Sequence, residues 1–259
     1  MDNFQQLPLS ISIISFNEEN NIDRTLKSIA DIASEIIVVD SHSTDRTREI
    51  ALSFGARVFE ENWKGHIEQK NSALEKCTHE WVLALDCDEV VTNELKHSII
   101  EVISKPEADG YCLDRKTVYL GKLLEHAWQP DRKLRLVKRS SSPRWGGYNP
   151  HDVLRINGST KRLKGDLLHY SHRDARDHFN RVVHYARLVA ESYRQNGRKF
   201  RLYNLIINPV YAFVKEYFLK MGFRDGIRGL AVAVSVTFYT FLKYYFLWEL
   251  ELGNDGKKS

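Results

Sequence analysis

Apolar positions in the first third of the chain come in short runs separated by polar clusters. Leu9 to Ser15 is β-rich, Glu35 to Asp40 carries Ile36-Ile37-Val38-Val39, Val58-Phe59 follows Gly55-Ala56-Arg57, and Trp81 to Leu85 is apolar throughout. Runs of roughly four to eight such residues, bounded by turn formers, predict buried central strands. Between them the spacing changes to three and four. Ile22, Leu26 and Ile29 mark a helical stripe, Ser41-His42-Ser43-Thr44-Asp45 supplies turn and N-cap chemistry for a helix through Phe54, and Ile67 to Cys77 predicts a third helix. Strand and helix alternating in this way predict β-α-β units, a parallel sheet and right-handed crossovers.

The C-terminal third has a different rhythm. Asp174 to Gln195 predicts one long helix with arginines along it. Leu205-Ile206-Ile207 and the residues after Pro209, through Tyr217-Phe218-Leu219, predict an aromatic-rich helical stretch. Gly229 to Leu242 is nearly unbroken apolar, but its 14 residues fall short of the ~20 that a bilayer span needs. Tolerating Lys243 extends the run through Trp248 to about that length. Basic residues, Trp, Tyr and a broad apolar face favour helices lying in the membrane interface. A span, a buried hairpin and a contact between copies of the chain are the competing arrangements.

Composition narrows the class. With 42% hydrophobic and 28% charged residues in 259, the chain has the material for a proper core and reads as globular. Cys77, Cys87 and Cys112 are odd in number and follow no metal spacing, so they are expected as free thiols in a reducing compartment. Met1 to Pro8 lacks the basic-then-apolar pattern of a secretion signal, which makes the cytoplasm the expected location. The net charge of +4 conceals an asymmetry: residues 1–129 carry −10 and residues 130–201 carry +12. A basic middle segment implies an anionic partner such as a phospholipid headgroup, a phosphorylated glycan or nucleic acid, and charge alone does not choose.

Candidate chemistry gathers at the predicted strand ends. Asp86-Cys87-Asp88-Glu89 closes the Trp81–Leu85 run, and carboxylates at a C-terminal strand end sit where open α/β sheets bind ligands. Hard oxygen ligands there suit Mg²⁺ or Mn²⁺ shared with a diphosphate. Ser15, Asn17 and Glu18 follow the first strand, Asp40 and Asp45 the second, and Lys70 lies on the helix before the Asp86 strand, where its charge could meet a phosphate. Each has a plainer structural role as a cap or a solvated side chain; their shared placement is what points to a site. No glycine-rich phosphate loop of the dinucleotide or P-loop kind occurs.

Ile11-Ser12-Ile13-Ile14-Ser15-Phe16-Asn17-Glu18-Glu19, Ile36 to Asp45 and Leu85-Asp86-Cys87-Asp88-Glu89 resemble, in that order, the family 2 glycosyltransferases of GT-A fold. Gln129-Pro130-Asp131-Arg132-Lys133-Leu134-Arg135-Leu136 and Gly165-Asp166-Leu167-Leu168-His169-Tyr170-Ser171 look like the branch that builds lipopolysaccharide core, including enzymes adding β-glucose to heptose. The resemblance implies an α/β fold: a Rossmann-like, mixed but mainly parallel sheet flanked by helices, with a C-terminal helical, membrane-associating extension. The expected domains are 1–172, with a nucleotide-sugar half to 110 and an acceptor half from 111, then a helical extension at 173–252 and a disordered tail at 253–259. It implies that Ser15, Asn17 and Glu18 border the nucleotide, Asp40 contacts uracil or ribose, Lys70 approaches the donor phosphates, Asp86 lies against the ribose and Asp88 binds the metal. Many relatives have Pro where this chain has Ser15, which leaves the first turn less defined.

Inverting transfer needs a base for the acceptor hydroxyl. Asp152, in the turn-rich stretch Trp145 to Asp152, is the leading candidate, with His151 orienting it and Asp131 as the alternative. Asp86 and His169 are candidate additional metal ligands, and Trp128 and Trp145 candidate sugar platforms. The expected partners are a nucleotide-sugar donor such as UDP-glucose, a lipid-linked phosphorylated glycan and the inner face of the cytoplasmic membrane, with no nucleic acid; an oligomer through the C-terminal helices stays open. A nucleotidyltransferase or a non-catalytic nucleotide-sugar or membrane-binding protein of the same fold are the alternatives. The first would carry a basic, glycine-rich loop after the first strand, and the retained carboxylates argue against the second.

Overall fold

The computed structural model describes residues 6–148 and 151–255; the side chain of His151 lies outside the described residues. The chain divides into two compact units, Met1–Lys116 with Asp131–Tyr170, and Thr117–Pro130 with Ser171–Ser259.

In the first unit, β1 (Leu7–Ser15), α1 (Ile22–Lys27), β2 (Ala33–Asp40), α2 (Thr47–Ser53), β3 (Arg57–Glu60), α3 (His66–Glu75) and β4 (Trp81–Asp86) succeed one another as the apolar pattern predicts. β5 (Glu89–Val91), α4 (Asn93–Ser104), β6 (Gly110–Tyr119), whose last three residues already belong to the second unit, β7 (Lys122–Leu123), wholly in the second unit, β8 (Arg132–Lys138), β9 (Arg144–Tyr148), β10 (His151–Arg155) and β11 (Thr160–His169) follow in chain order. The main sheet runs β3-β2-β1-β4-β8-β6-β11-β5. Its first four strands are parallel, whereas β8 enters antiparallel to β4 and β6 antiparallel to β8. The sheet is therefore mixed, with the β-α-β half supplying the strand ends and the later half closing around them.

Burial explains why the early strands were readable. Strands covered on both faces become continuous apolar runs. Ile36, Val38, Leu83 and Leu85 pack with α1 and α4 through Ile22, Leu26, Leu95 and Ile99, while Ile37, Val82 and Ala84 pack on the other face with Leu74, Val137 and Trp145. Gly165, at φ +87°, lets β11 run against α4; a Cβ there would stand 2.3 Å from the Leu95 amide nitrogen.

The second unit is helical: α5 (Ala175–Gln195), α6 (Leu202–Val214) and α7 (Gly226–Asp255), with a π-helical turn at Lys215–Leu219 and a 3-10 turn at Gly222–Asp225. Asp174 caps α5 by accepting from the Asp177 amide at 2.8 Å. Helix α6 begins earlier than expected and contains Pro209, a buried residue, at a position where the missing amide costs one intrahelical bond. α7 packs on both α5 and α6. It continues helical through Asp255, so residues 253–255 depart from the expected disordered tail, and 256–259 lie outside the described residues.

Thr117–Pro130, expected to belong with the acceptor half, clusters with this helical unit. Asp225 explains the association: its buried carboxylate accepts from the amides of Glu125, His126 and Ala127 at 3.1, 3.0 and 2.7 Å, and Glu216 accepts from the Trp128 amide. The segment spends its free backbone donors on helix-borne acids.

Candidate active site

The loops after β1 and β2 are tied together by reciprocal bonds. Asn17, at φ +54°, donates its amide to Ser43 Oγ at 2.8 Å and accepts from the Thr44 amide at 2.9 Å. The Glu18 amide donates to Thr47 Oγ1 at 2.7 Å, and the Glu19 amide to Asp45. Asp40 is fully buried and accepts from Ser15 Oγ at 2.8 Å and from both the amide and hydroxyl of Ser43. Ser15 thus supplies a hydroxyl that proline could not, and the turn is fixed by this hydrogen bond in place of a ring. Asp40 works here as the pin of the loop, and the polar edge it shapes is carried by Asn17 and Glu18.

A second cluster forms where β4 ends. Asn71 on α3 donates to the Trp145 carbonyl at 3.1 Å and accepts from the Trp145 amide at 2.9 Å, clamping the β9–β10 hairpin to the helix. That clamp puts the preceding residue, Lys70, 4.5 Å from the Trp145 ring centroid, 2.8 Å from Asp152 Oδ2 and 2.9 Å from Asp86 Oδ1. Burial opposes the Lys70 charge, but Asp86 and Asp152 outweigh both burial and the repulsion of Arg135, and hold its pKa above the ordinary lysine range. The candidate phosphate ligand and the candidate base, 82 residues apart in sequence, are one ion pair.

Arg135 arrives from antiparallel β8 and bonds both Asp86 Oδ2 and Glu89 Oε1 at 2.7 Å. Glu89 is fully buried and also accepts from the Asp86 amide at 3.0 Å and from Arg115 at 3.2 Å. Asp86 would be pushed up by burial, yet Arg135 and Lys70 prevail and hold it well below the usual carboxylate range. Both of its oxygens face cations. Asp131, the alternative base, is bound by Arg115 at 2.7 Å and Lys133 at 3.1 Å, and those charges outweigh its burial to lower its pKa. Sequence reasoning assigned no part to Glu89, Arg115 or Arg135. The signal was available in Leu134-Arg135-Leu136-Val137, where one cation interrupts a strand-like apolar run and requires a buried counter-ion.

Asp88 is brought to His169 by strand pairing. β11 runs antiparallel to β5 with Leu167 opposite Val91, Leu168 opposite Val90 and His169 opposite Glu89. His169 Nε2 then stands 3.3 Å from Asp88 Oδ2, both partly accessible, and its influence outweighs burial to lower the Asp88 pKa. Among the described residues no group of three histidine, cysteine or carboxylate side chains is gathered for a metal. An open pair of one carboxylate oxygen and one imidazole nitrogen nevertheless fits a divalent cation that takes its remaining ligands from water and a diphosphate. Trp128 is not part of this cluster; it belongs to the helical unit, packed with Tyr119, His172 and His178.

Residues 10–155 match the family model described as glycosyl transferase family 2. An uncharacterised glycosyltransferase of Rickettsia typhi is 30% identical over 94% of this chain and 88% of its own length. The lipopolysaccharide core biosynthesis glycosyltransferase LpsC of Rhizobium meliloti is 29% identical over 92% and 90%. Among solved structures, S. aureus TarS in complex with UDP superposes at TM-score 0.51 with 16% identity, covering 95% of this chain and 91% of that one. The mannosyltransferase PcManGT of Pyrobaculum calidifontis, in complex with GDP-Man and Mn²⁺, gives 0.50 and 13%, covering 95% and 88%. The strand order and the acidic strand ends therefore define a GT-A glycosyltransferase. The chain belongs to glycosyltransferase family 2, and its relatives include one named for lipopolysaccharide core biosynthesis.

Proposed function

We propose that the protein is an inverting, metal-dependent hexosyltransferase that moves glucose from UDP-glucose onto a heptose of a lipid-linked, phosphorylated lipopolysaccharide core, forming a β bond at the inner face of the cytoplasmic membrane. The observation that carries this reading is the Asp88–His169 pair, with Asp88 two residues beyond Asp86, which Lys70 and Arg135 hold ionised. Ser15, Asn17, Glu18 and the turn pinned by Asp40 border the nucleotide in this reading. Asp88 and His169 would hold Mg²⁺ or Mn²⁺, and the bound ion would supply positive charge to the departing diphosphate. Asp86 faces the ribose, and its two cations keep it an acceptor.

Lys70 has two partners, and a donor diphosphate offers it a third. Drawing the ammonium toward phosphate oxygens loosens its 2.8 Å pair with Asp152 and leaves that carboxylate ready to accept the acceptor's hydroxyl proton. His151 retains its proposed role of orienting Asp152. The LpsC relative supports a lipopolysaccharide-core acceptor, and the UDP of TarS and the GDP-Man of PcManGT are both consistent with a nucleotide-sugar donor.

The direct test is UDP release by purified protein with a panel of sugar nucleotides and Mn²⁺ or Mg²⁺, with and without heptose-containing core lipid. Metal-dependent turnover of UDP-glucose, reduced roughly 10²–10³-fold in Asp88→Ala, is the expected result. Turnover that is unchanged by chelator or by that substitution would sink the metal assignment, and silence across the panel would favour a binding protein.

A further inference from the structure

The helical unit exposes apolar surface in an ordered way. On α6, Leu202, Tyr203, Ile206, Ile207, Val210 and Tyr211 are each more than half exposed, and their spacing gathers them on one side of the helix. No charged residue occurs between Leu202 and Val214. On α7, exposed Ile227, Leu230, Val234, Phe238, Phe241 and Tyr245 form a second stripe at intervals of three and four. Apolar surface of this extent marks an interaction site.

Cations bracket the α6 stripe. Before it lies an open cavity of about 590 Å³ lined by Gly197 to Arg201, Tyr203 and Asn204. Arg198 is held by the Tyr244 hydroxyl at 3.2 Å and over the Tyr193 ring at 4.3 Å. Arg201 is 3.5 Å from the Tyr203 hydroxyl, and Lys199 is exposed. Among the described residues none of these three cations has a carboxylate partner; Glu251, which reaches the same loop, accepts from the Phe200 amide at 2.7 Å. After the stripe come Lys215, Lys220 and Arg224.

We propose that α6 lies in the plane of an anionic bilayer, with Arg198, Lys199 and Arg201 receiving a lipid headgroup phosphate in the Gly197–Asn204 cavity. This rests on the membrane-surface part of the proposed function and assigns it a site. Charge complementarity selects the occupant: a second copy docking face to face would bring like cations together, whereas acyl chains and phosphates satisfy the stripe and its ends at once. Length selects the orientation. Helix α6 and the π-helical turn that continues it to Leu219 extend about 25 Å, still short of a hydrocarbon core of about 30 Å, and carry Lys215 and Glu216 within that length. Gly222–Leu252 is long and apolar enough to cross a membrane. However, the α5 helix packed on α7 carries Arg181, Arg187 and Glu191, with Arg187 paired to Glu249, and a span would draw those charges into lipid at high cost.

Flotation of the full chain with phosphatidylcholine vesicles, with and without one third phosphatidylglycerol, tests the assignment without requiring turnover, so it stands or falls separately from the transferase reading. The expected result is at least about 30-fold tighter binding to the anionic vesicles, a preference reduced about 30-fold by Lys199→Gln with Arg201→Gln. Ile206→Glu with Val210→Glu should abolish flotation, and carbonate should extract the wild type from vesicles. Donor hydrolysis and circular dichroism should be unchanged in both variants. Equal binding to both vesicle types, or retention after carbonate, would overturn the proposal. So would vesicle binding that survives Ile206→Glu with Val210→Glu while a dimer becomes a monomer, which would give the face to a second copy.

Discussion

At the sheet edge of the first unit, Lys70, Arg135 and Glu89 are buried and every one of them is paired; on α6 of the second unit, Ile206 and Val210 stay about 60% exposed among the described residues. The first region withdraws charge from water and the second leaves hydrocarbon in it. Either arrangement is costly for a protein that only has to fold. The first cost is offset inside the molecule, by counter-charges held at 2.7 to 2.9 Å, and so yields a rigid, oriented cluster. The second has no internal remedy and calls for a surface outside the chain. Preorganised chemistry and unfinished packing are thus two different marks of function.

The contrast can be sharpened most strongly at Asp152. Asp152→Asn should lower kcat by ~10²–10⁴-fold, the range for losing a general base, with KM for the donor little changed because Lys70 keeps its bond to Asp86. Steady-state kinetics decides it, and wild-type turnover would remove Asp152 from the base role. Next, the two regions should respond oppositely to exchanges of polarity. Arg135→Met takes the 2.7 Å cation from both Glu89 and Asp86 and leaves them only Arg115 and Lys70; it should cost up to roughly 3–5 kcal/mol of stability. Ile206→Glu should stay within about 0.5 kcal/mol, since it places a charge where water already is. Urea unfolding of both variants would break the comparison if the two values were alike.

The smallest effect concerns Glu61 in the first unit, whose pKa is lowered to about 2, chiefly by its bond with Lys76 and against a smaller effect of burial, with Ser72 adding further bonds. A carboxylate lowered on folding stabilises the fold above its unfolded pKa and loses that contribution as pH falls through the folded value. Glu61→Gln should therefore lower Tm at pH 7 by at most about 3 °C. The difference should shrink below the ordinary glutamate range and vanish near pH 2, as thermal melts across that window would show.

Legibility followed the same division. Strands β1, β2 and β4 were readable because both faces are covered, which writes burial as unbroken apolar runs, and Asp86 and Asp88 were readable as acids closing one of them. Arg135, Arg115 and Glu89 were not assigned because their meaning is relational: each is required only by a partner that antiparallel pairing brings in from elsewhere in the chain. The pairing of Lys70 with Asp152 was hidden for the same reason, since it depends on Asn71 clamping a distant hairpin. The clustering of Thr117–Pro130 with the helices is not legible locally, because Asp225 and Glu216, about a hundred residues later, take its backbone donors.

The three paired positions that join β5 to β11 bear on how the site comes into being. Asp88 leaves the ribosome long before His169, its partner at 3.3 Å. A slip of one residue in this short ladder would present Leu168 or Tyr170 in its place, since neighbouring side chains on a strand point to opposite faces. The nucleotide edge can therefore take shape early from contacts close in sequence. The proposed metal pair depends on closing a long loop and on one register of this ladder, so an intact Asp88–His169 pair reports that the two ends of the first unit have met correctly.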